Sequence, residues 1–177
     1  MLRSDIRHGF WKRLPKPFFV LAPMADVTDA AFRKIILECG RPDVFYTEFI
    51  SSDGLVSSGR EQLMKNLLIT DDEHPIVAQF FCSKPDDIYK CARLARELGF
   101  YGVDINMGCP DRKVVKQGAG IGLSKTPGLA QEIIAAAKEG AGGLPVSVKT
   151  RLGLNAVSLT WMQILLETDI PTLIIHG

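Results

Sequence analysis

Short apolar runs recur along this chain, separated by amphipathic segments, and their alternation defines the elements. Phe18-Phe-Val-Leu-Ala22 opens the series as a continuous apolar run, the pattern of a strand buried on both faces. Thr28 is placed to cap a helix whose Ala31, Phe32, Ile35, Ile36 and Cys39 share one face, with Gly40 as its stop. Val44–Phe49 is a second strand, followed by Ser51-Ser-Asp-Gly54 and a short helix to about Lys65. Pro75–Phe80 is a third. Ser83 then caps a helix with Pro85 in its first turn, apolar Ile88, Cys91, Ala92, Ala95 and Leu98 on one face, and Gly99 at its end. Gly102–Met107 is a fourth strand and runs into a tight loop carrying Cys109 and Pro110. Thr126-Pro127 opens a helix through Ile133, Ile134 and Ala137 to Gly140, and Pro145–Lys149 is a fifth strand. A helix over Ala156–Thr168 and a sixth strand over Thr172–Gly177 complete the pattern.

Strands alternating with helices mean a parallel sheet covered by helices, hence an α/β fold. A doubly wound open sheet and a (β/α)8 TIM barrel both satisfy that pattern. The first strand ends at Pro23-Met-Ala-Asp rather than in a glycine-rich phosphate turn, which favours the barrel. So does the placement of polar residues. Met24, Glu48, Gln79, Asn106 with Cys109, Lys149 with Arg151, and His176 each stand at or near the C-terminal end of a different strand. That is where barrels build their sites. A complete barrel takes ~250 residues, so the expectation is a TIM barrel truncated after its sixth strand, with an open edge on either side of the gap. Residues 1–17 are expected to form a basic N-terminal arm and residues 18–177 the partial barrel.

Composition changes this picture little. The apolar and charged fractions, 46% and 23%, are ordinary for a globular domain, and a net charge of +1 names no partner. The one basic cluster, Arg3, Arg7, Lys12, Arg13 and Lys16, reads as a solvated arm. Four cysteines without a CxxC pair and three scattered histidines argue against a metal site. No apolar run approaches the ~20 residues that span a bilayer. With free thiols and no leader pattern, a cytoplasmic location is expected.

Cys109 is the strongest chemical candidate. A thiol presented in a polar Gly/Pro loop beyond an apolar strand can face a ligand, as thiolate nucleophile or as neutral acid. Cys39, Cys82 and Cys91 read instead as small buried hydrophobes. Asn106 can orient a carbonyl or ring edge through its amide, or simply cap the turn. Lys149, ending an apolar strand, needs an anion nearby: a carboxylate or an anionic cofactor. Gln79 and His176 are further polar candidates, and Glu48 is the weakest, as a loop carboxylate. Gly118-Ala-Gly-Ile-Gly122 ahead of a helix either binds phosphate or permits close backbone approach; without GK[ST] it is no P-loop.

Taken together, Ala22-Pro-Met-Ala-Asp-Val-Thr-Asp-Ala-Ala-Phe-Arg33, Thr47-Glu-Phe-Ile-Ser-Ser-Asp-Gly54, Asp104-Ile-Asn-Met-Gly-Cys-Pro110 with Gly118-Ala-Gly120, Val148-Lys-Thr-Arg-Leu-Gly153 and Ile175-His-Gly177 resemble the flavin-dependent tRNA-dihydrouridine synthases. The resemblance runs over nearly the whole chain from Phe18 on. It implies an FMN-bound barrel that reduces the C5–C6 bond of uridine in tRNA, with NADPH as reductant. Under it, Cys109 is the general acid that protonates C5, and Asn106 helps hold the uracil. Pro23, Met24 and Ala25 pack beside the flavin, while Gln79, Lys149 and His176 bind it. Family members continue through two more strands that hold the FMN phosphate and into a helical domain that grips tRNA, so weak flavin retention is expected of these residues alone. Two other readings stand beside this one: an FMN-barrel reductase of a small pyrimidine or enone, and a non-catalytic fragment that binds RNA or a partner chain.

Overall fold

The computed structural model describes residues 9–177. Five parallel strands form one sheet in sequential order: β1 (Phe45–Ser51), β2 (Ile76–Phe81), β3 (Gly102–Met107), β4 (Val146–Arg151) and β5 (Leu173–His176). The connections are helical. α1 (Ala30–Cys39) precedes β1, and the short α2 (Ser52–Leu55) and α3 (Arg60–Leu63) follow it. Then come α4 (Pro85–Glu97), α5 (Arg112–Lys116), α6 (Pro127–Ala141) and α7 (Leu159–Leu166). Strictly sequential parallel neighbours, each joined by a helical crossover, are the (β/α)8 barrel arrangement rather than the reversing strand order of a doubly wound sheet.

The expected first strand departs from its reading. Val20 makes an isolated bridge to Val44, supported by bonds from Leu21 N to Val44 O at 3.0 Å and from Asp43 N to Phe19 O at 2.9 Å. It is therefore the sixth strand position, but it is not buried on both faces: Phe19 is 73% exposed. The reason is geometric. It pairs on one side only, and so does β5, whose Ile175 is 48% exposed. Between them Phe18, Val20, Ala22, Thr172 and Ile174 line an apolar opening of about 380 Å³.

One face of the sheet carries the main core. Phe45, Ile50, Ile76, Ala78, Phe80, Val103, Ile105, Met107, Val146 and Val148 pack with Ile88, Cys91, Ala92 and Ala95 of α4 and Ala130, Ile133, Ile134 and Ala137 of α6. Both helices begin at a proline, where the missing N–H is no loss. On the inner face a smaller cluster of Val44, Tyr46 and Val77 is closed by Trp11. Of the expected 1–17 arm, Arg3 and Arg7 lie outside the described residues. Gly9–Arg13 is a 3-10 turn whose Trp11 is buried, and the basic Lys12, Arg13 and Lys16 are exposed.

α1 also differs from expectation. Asp29, not Thr28, caps it, accepting from Phe32 N at 2.8 Å. Its buried residue is Arg33, while Ile35 and Cys39 are exposed, so Cys39 is not the buried hydrophobe that its spacing suggests. Arg33 makes a buried ion pair with Glu73 at 2.5 Å and donates to Thr28 O at 2.9 Å and Leu68 O at 2.6 Å. Glu73 in turn accepts from Thr70 N at 2.7 Å. A charged pair therefore clamps α1 to the loop before β2.

Candidate active site

Alternation along the parallel strands decides which side chains meet. In register, Gln79 of β2 lies beside Asp104 of β3 and Asp104 beside Ser147 of β4, while Asn106 is beside Lys149 and Arg151 beside His176 of β5. The C-terminal members of this set open onto a cleft of about 150 Å³ lined by Pro23, Phe49, Asn106, Gly108, Cys109, Pro110, Lys149, Arg151 and His176. Five of the eight residues expected at the site thus share one cavity: Cys109, Asn106, Pro23, Lys149 and His176.

The other three lie around it. Gln79 is fully buried beneath the cleft. Met24 and Ala25 are exposed in the neighbouring loop, whose conformation is closed by Thr28: its hydroxyl accepts from Met24 N at 3.0 Å and donates to Met24 O at 3.1 Å. Glu48, expected as a solvated loop carboxylate, instead sits within β1 at 6% exposure and accepts from Asp26 N. That bond ties the Pro23 loop to the sheet.

The Cys109 loop is fixed from three sides. Asn106 Oδ1 accepts from Gly108 N at 3.1 Å and Cys109 N at 2.9 Å. Arg151, expected in a loop but in fact the last residue of β4, donates from Nε to Gly108 O at 3.0 Å. From below, Cys109 O accepts from Ile121 N at 3.1 Å. The glycine loop thus resolves to its second reading. A Cβ on Gly120, which has φ +58, would stand 2.5 Å from Cys109 O, so the loop serves close packing under the thiol. Cys109 itself is half-buried and free.

Lys149 makes no hydrogen bond or ion pair among the described residues, and its charge is left to the field of its surroundings. Desolvation lowers its pKa, Asp104 raises it, and Arg151 lowers it further. Asp104 is wholly buried, and desolvation pushes its carboxyl up to about 6, against the pull of Ser147, Gln79 and Lys149. An ammonium without a direct partner, beside Arg151 and His176, fits an electron-rich or anionic ring in the cleft. Asp104, Ser147 and Phe49 escape a reading based on polar strand ends. The signal for Asp104 is a lone carboxylate in the middle of an apolar strand. No group of His, Cys, Asp or Glu able to hold a metal, and no helix long and apolar enough to cross a membrane, occurs among the described residues.

Comparisons with known proteins bear on the family and the fold. The family model for dihydrouridine synthase (Dus) matches residues 20–177. A probable tRNA-dihydrouridine synthase 2 of Bacillus subtilis (strain 168) is 51% identical over 171 residues, covering 95% of this chain and 52% of that protein. A probable tRNA-dihydrouridine synthase of Staphylococcus aureus (strain Mu50 / ATCC 700699) is 45% identical over 174 residues, covering 97% and 52% respectively. The chain therefore spans about half the length of the curated relatives it matches. Among solved structures, a variant of NCR from Zymomonas mobilis superposes with a TM-score of 0.58 at 16% identity, over 90% of this chain and 64% of that one. A 2,3-dimethylmalate lyase of the PEP mutase/isocitrate lyase superfamily gives 0.55 at 14% identity, over 100% and 64%. At those identities the likeness is one of fold.

Proposed function

The chain belongs to the dihydrouridine synthase family, and from that premise we propose that it carries the catalytic portion of a cytoplasmic tRNA-dihydrouridine synthase. The reaction is reduction of the C5–C6 bond of a uridine in tRNA, with FMN as prosthetic group and NADPH as reductant. The observation that carries this reading is the convergence of Cys109, Asn106, Lys149 and His176 on one cleft at the C-terminal ends of β3, β4 and β5. When bound, FMN supplies the hydride that reaches C6.

The protein's own residues do the rest. Lys149 and His176 would bind the polar edge of the ring, and Lys149 would offset the charge that reduced flavin carries near N1. Pro23, Met24 and Ala25 would pack beside it, with Gln79 contributing from the floor. Asn106 would hold the uracil with the amide hydrogen that its bond to Gln79 leaves over. Cys109 would then donate a proton to C5 as general acid, from a loop held in place through its backbone. A tRNA uridine must leave its stack to enter such a pocket.

The test supplies NADPH and FMN to a protein that carries this chain at the length of its relatives, with unmodified tRNA and free uracil as parallel substrates. Dihydrouridine found in nuclease digests of the tRNA, with free uracil untouched, is the expected result. Reduction of uracil alone would favour a small-pyrimidine reductase, and neither product would favour a non-catalytic role.

A further inference from the structure

A hydrogen-bond relay inside the barrel links a buried carboxylate to the Cys109 loop, and its polarity is dictated at both ends. The backbone N–H groups of Gly108 and Cys109 can only donate, so the oxygen of Asn106 faces them. The Asn106 amide nitrogen therefore points the other way and donates to Gln79 Oε1 at 3.2 Å. Gln79 Nε2 is left to donate to Asp104 Oδ2 at 2.7 Å. An ionised carboxylate accepts only, so Asp104 closes the relay. Its other oxygen accepts from Ser147 Oγ, which lies 3.5 Å from Tyr46 Oη. Gln79, Asp104 and Ser147 are buried to 1% exposure or less and Asn106 to 7%, so no solvent is at hand to replace a lost partner.

We infer that Asp104 is a positioning residue: its acceptor-only carboxylate fixes the orientation of the Gln79 and Asn106 amides and thereby holds the loop that presents the Cys109 thiol. The inference rests on the functional reading above for its catalytic meaning, but its structural content stands on the relay. If residue 104 offers no acceptor, Gln79 Nε2 is stranded, and a turned-over Gln79 would set amide nitrogen against amide nitrogen at Asn106. Asn106 could relieve that only by aiming its own nitrogen at the two N–H donors of the loop. The disturbance therefore reaches Cys109 without a direct contact.

The experiment compares Asp104→Val, Asp104→Asn, Gln79→Met, Asn106→Ala and the double variant Asp104→Val/Asn106→Ala, with folding checked by circular dichroism. Two quantities are read for each: the rate of Cys109 alkylation by iodoacetamide, resolved from Cys39 by peptide mass spectrometry, and single-turnover uridine reduction. Asp104→Val and Gln79→Met should speed alkylation several-fold at Cys109 and not at Cys39. They should also slow uridine reduction by about tenfold or more, the scale on which a misplaced catalytic group is felt. Asp104→Asn, which can still offer an oxygen to Gln79, should recover most of the loss. The double variant should be no worse than Asn106→Ala alone, because both act through the same bond. If Asp104→Val does not fold, Gln79→Met makes the same demand of the relay. Alkylation within twofold of the parent in the folded variants, or additive losses in the double, overturns the inference. A parent protein that reduces no uridine yet shows the alkylation pattern refutes the functional reading and supports the positioning role.

Discussion

Replacing Gly120 by alanine probes the support beneath the thiol, and the structure sets its size. Gly120 has φ +58, a left-handed conformation that costs an L-residue about 1–2 kcal/mol. Its Cβ would also stand 2.5 Å from Cys109 O and 2.9 Å from Val114 Cγ1, and overpacking of that kind costs about 1–3 kcal/mol. The neighbouring Gly118 is an internal control: its φ is +75, but the nearest atom to an added Cβ is Ser83 Cβ at 3.8 Å. Gly118→Ala should therefore lose only the backbone contribution of about 1–2 kcal/mol, and Gly120→Ala about 2–5 kcal/mol. Urea denaturation with an unchanged m-value measures both. If the protein escapes part of the clash by moving the Cys109 carbonyl, Cys109 alkylation should change in Gly120→Ala alone. Equal losses in the two variants, with Cys109 reactivity unchanged in both, would refute the claim that the glycine loop is packed against the thiol's backbone.

Two further predictions follow from buried charge. Glu73→Ala leaves the Arg33 guanidinium, 1% exposed, without its carboxylate and should destabilise the fold by about 3–5 kcal/mol in the same assay. Asp104 has its carboxyl raised from 3.8 to about 6, so the folded state binds the proton more tightly than the unfolded chain. Stability should then fall as pH rises from about 4 to 6, by about 3 kcal/mol at most from this group. The charge that bears on it is Lys149 from β4; the Tyr46 phenol of β1, itself pushed well up by burial and by Asp104, carries none in this window. Asp104→Asn should remove that slope, and denaturation at several pH values across the window reads it directly.

Most of the architecture could be read from the chain because short apolar runs between helices opened by a proline or a polar cap leave few alternatives. Lys84 rather than Ser83 precedes α4, however, and gives no side-chain cap bond. Gly102–Met107 begins and ends where the pattern places it. The first strand was harder, because its sequence is as apolar as the others while its exposure depends on having a neighbour on one side only. Periodicity also misplaced the face of α1. Arg33 is charged, and only the partner forty residues away, Glu73, makes its burial possible. At the site, strand-end polar residues converge on one cleft, since in parallel strands that end collects side chains from successive crossovers. What lay beneath was not legible in that way. Gln79 reads as a ligand-facing amide with no sign that it also bonds Asp104 and Asn106, and the glycine loop reads equally well as a phosphate cradle. Both depend on contacts between residues that are remote in sequence.

The proposed role of the Cys109 thiol is proton donor to a uridine held in this cleft. It is tested most directly by single-turnover reduction of unmodified tRNA by flavin-loaded Cys109→Ala protein, beside the parent, at the length of the curated relatives. An unchanged flavin spectrum and a dihydrouridine yield reduced by about 10²-fold or more, the contribution expected of a positioned general acid, are the expected outcome. Turnover equal to the parent's, with flavin retained, would contradict it.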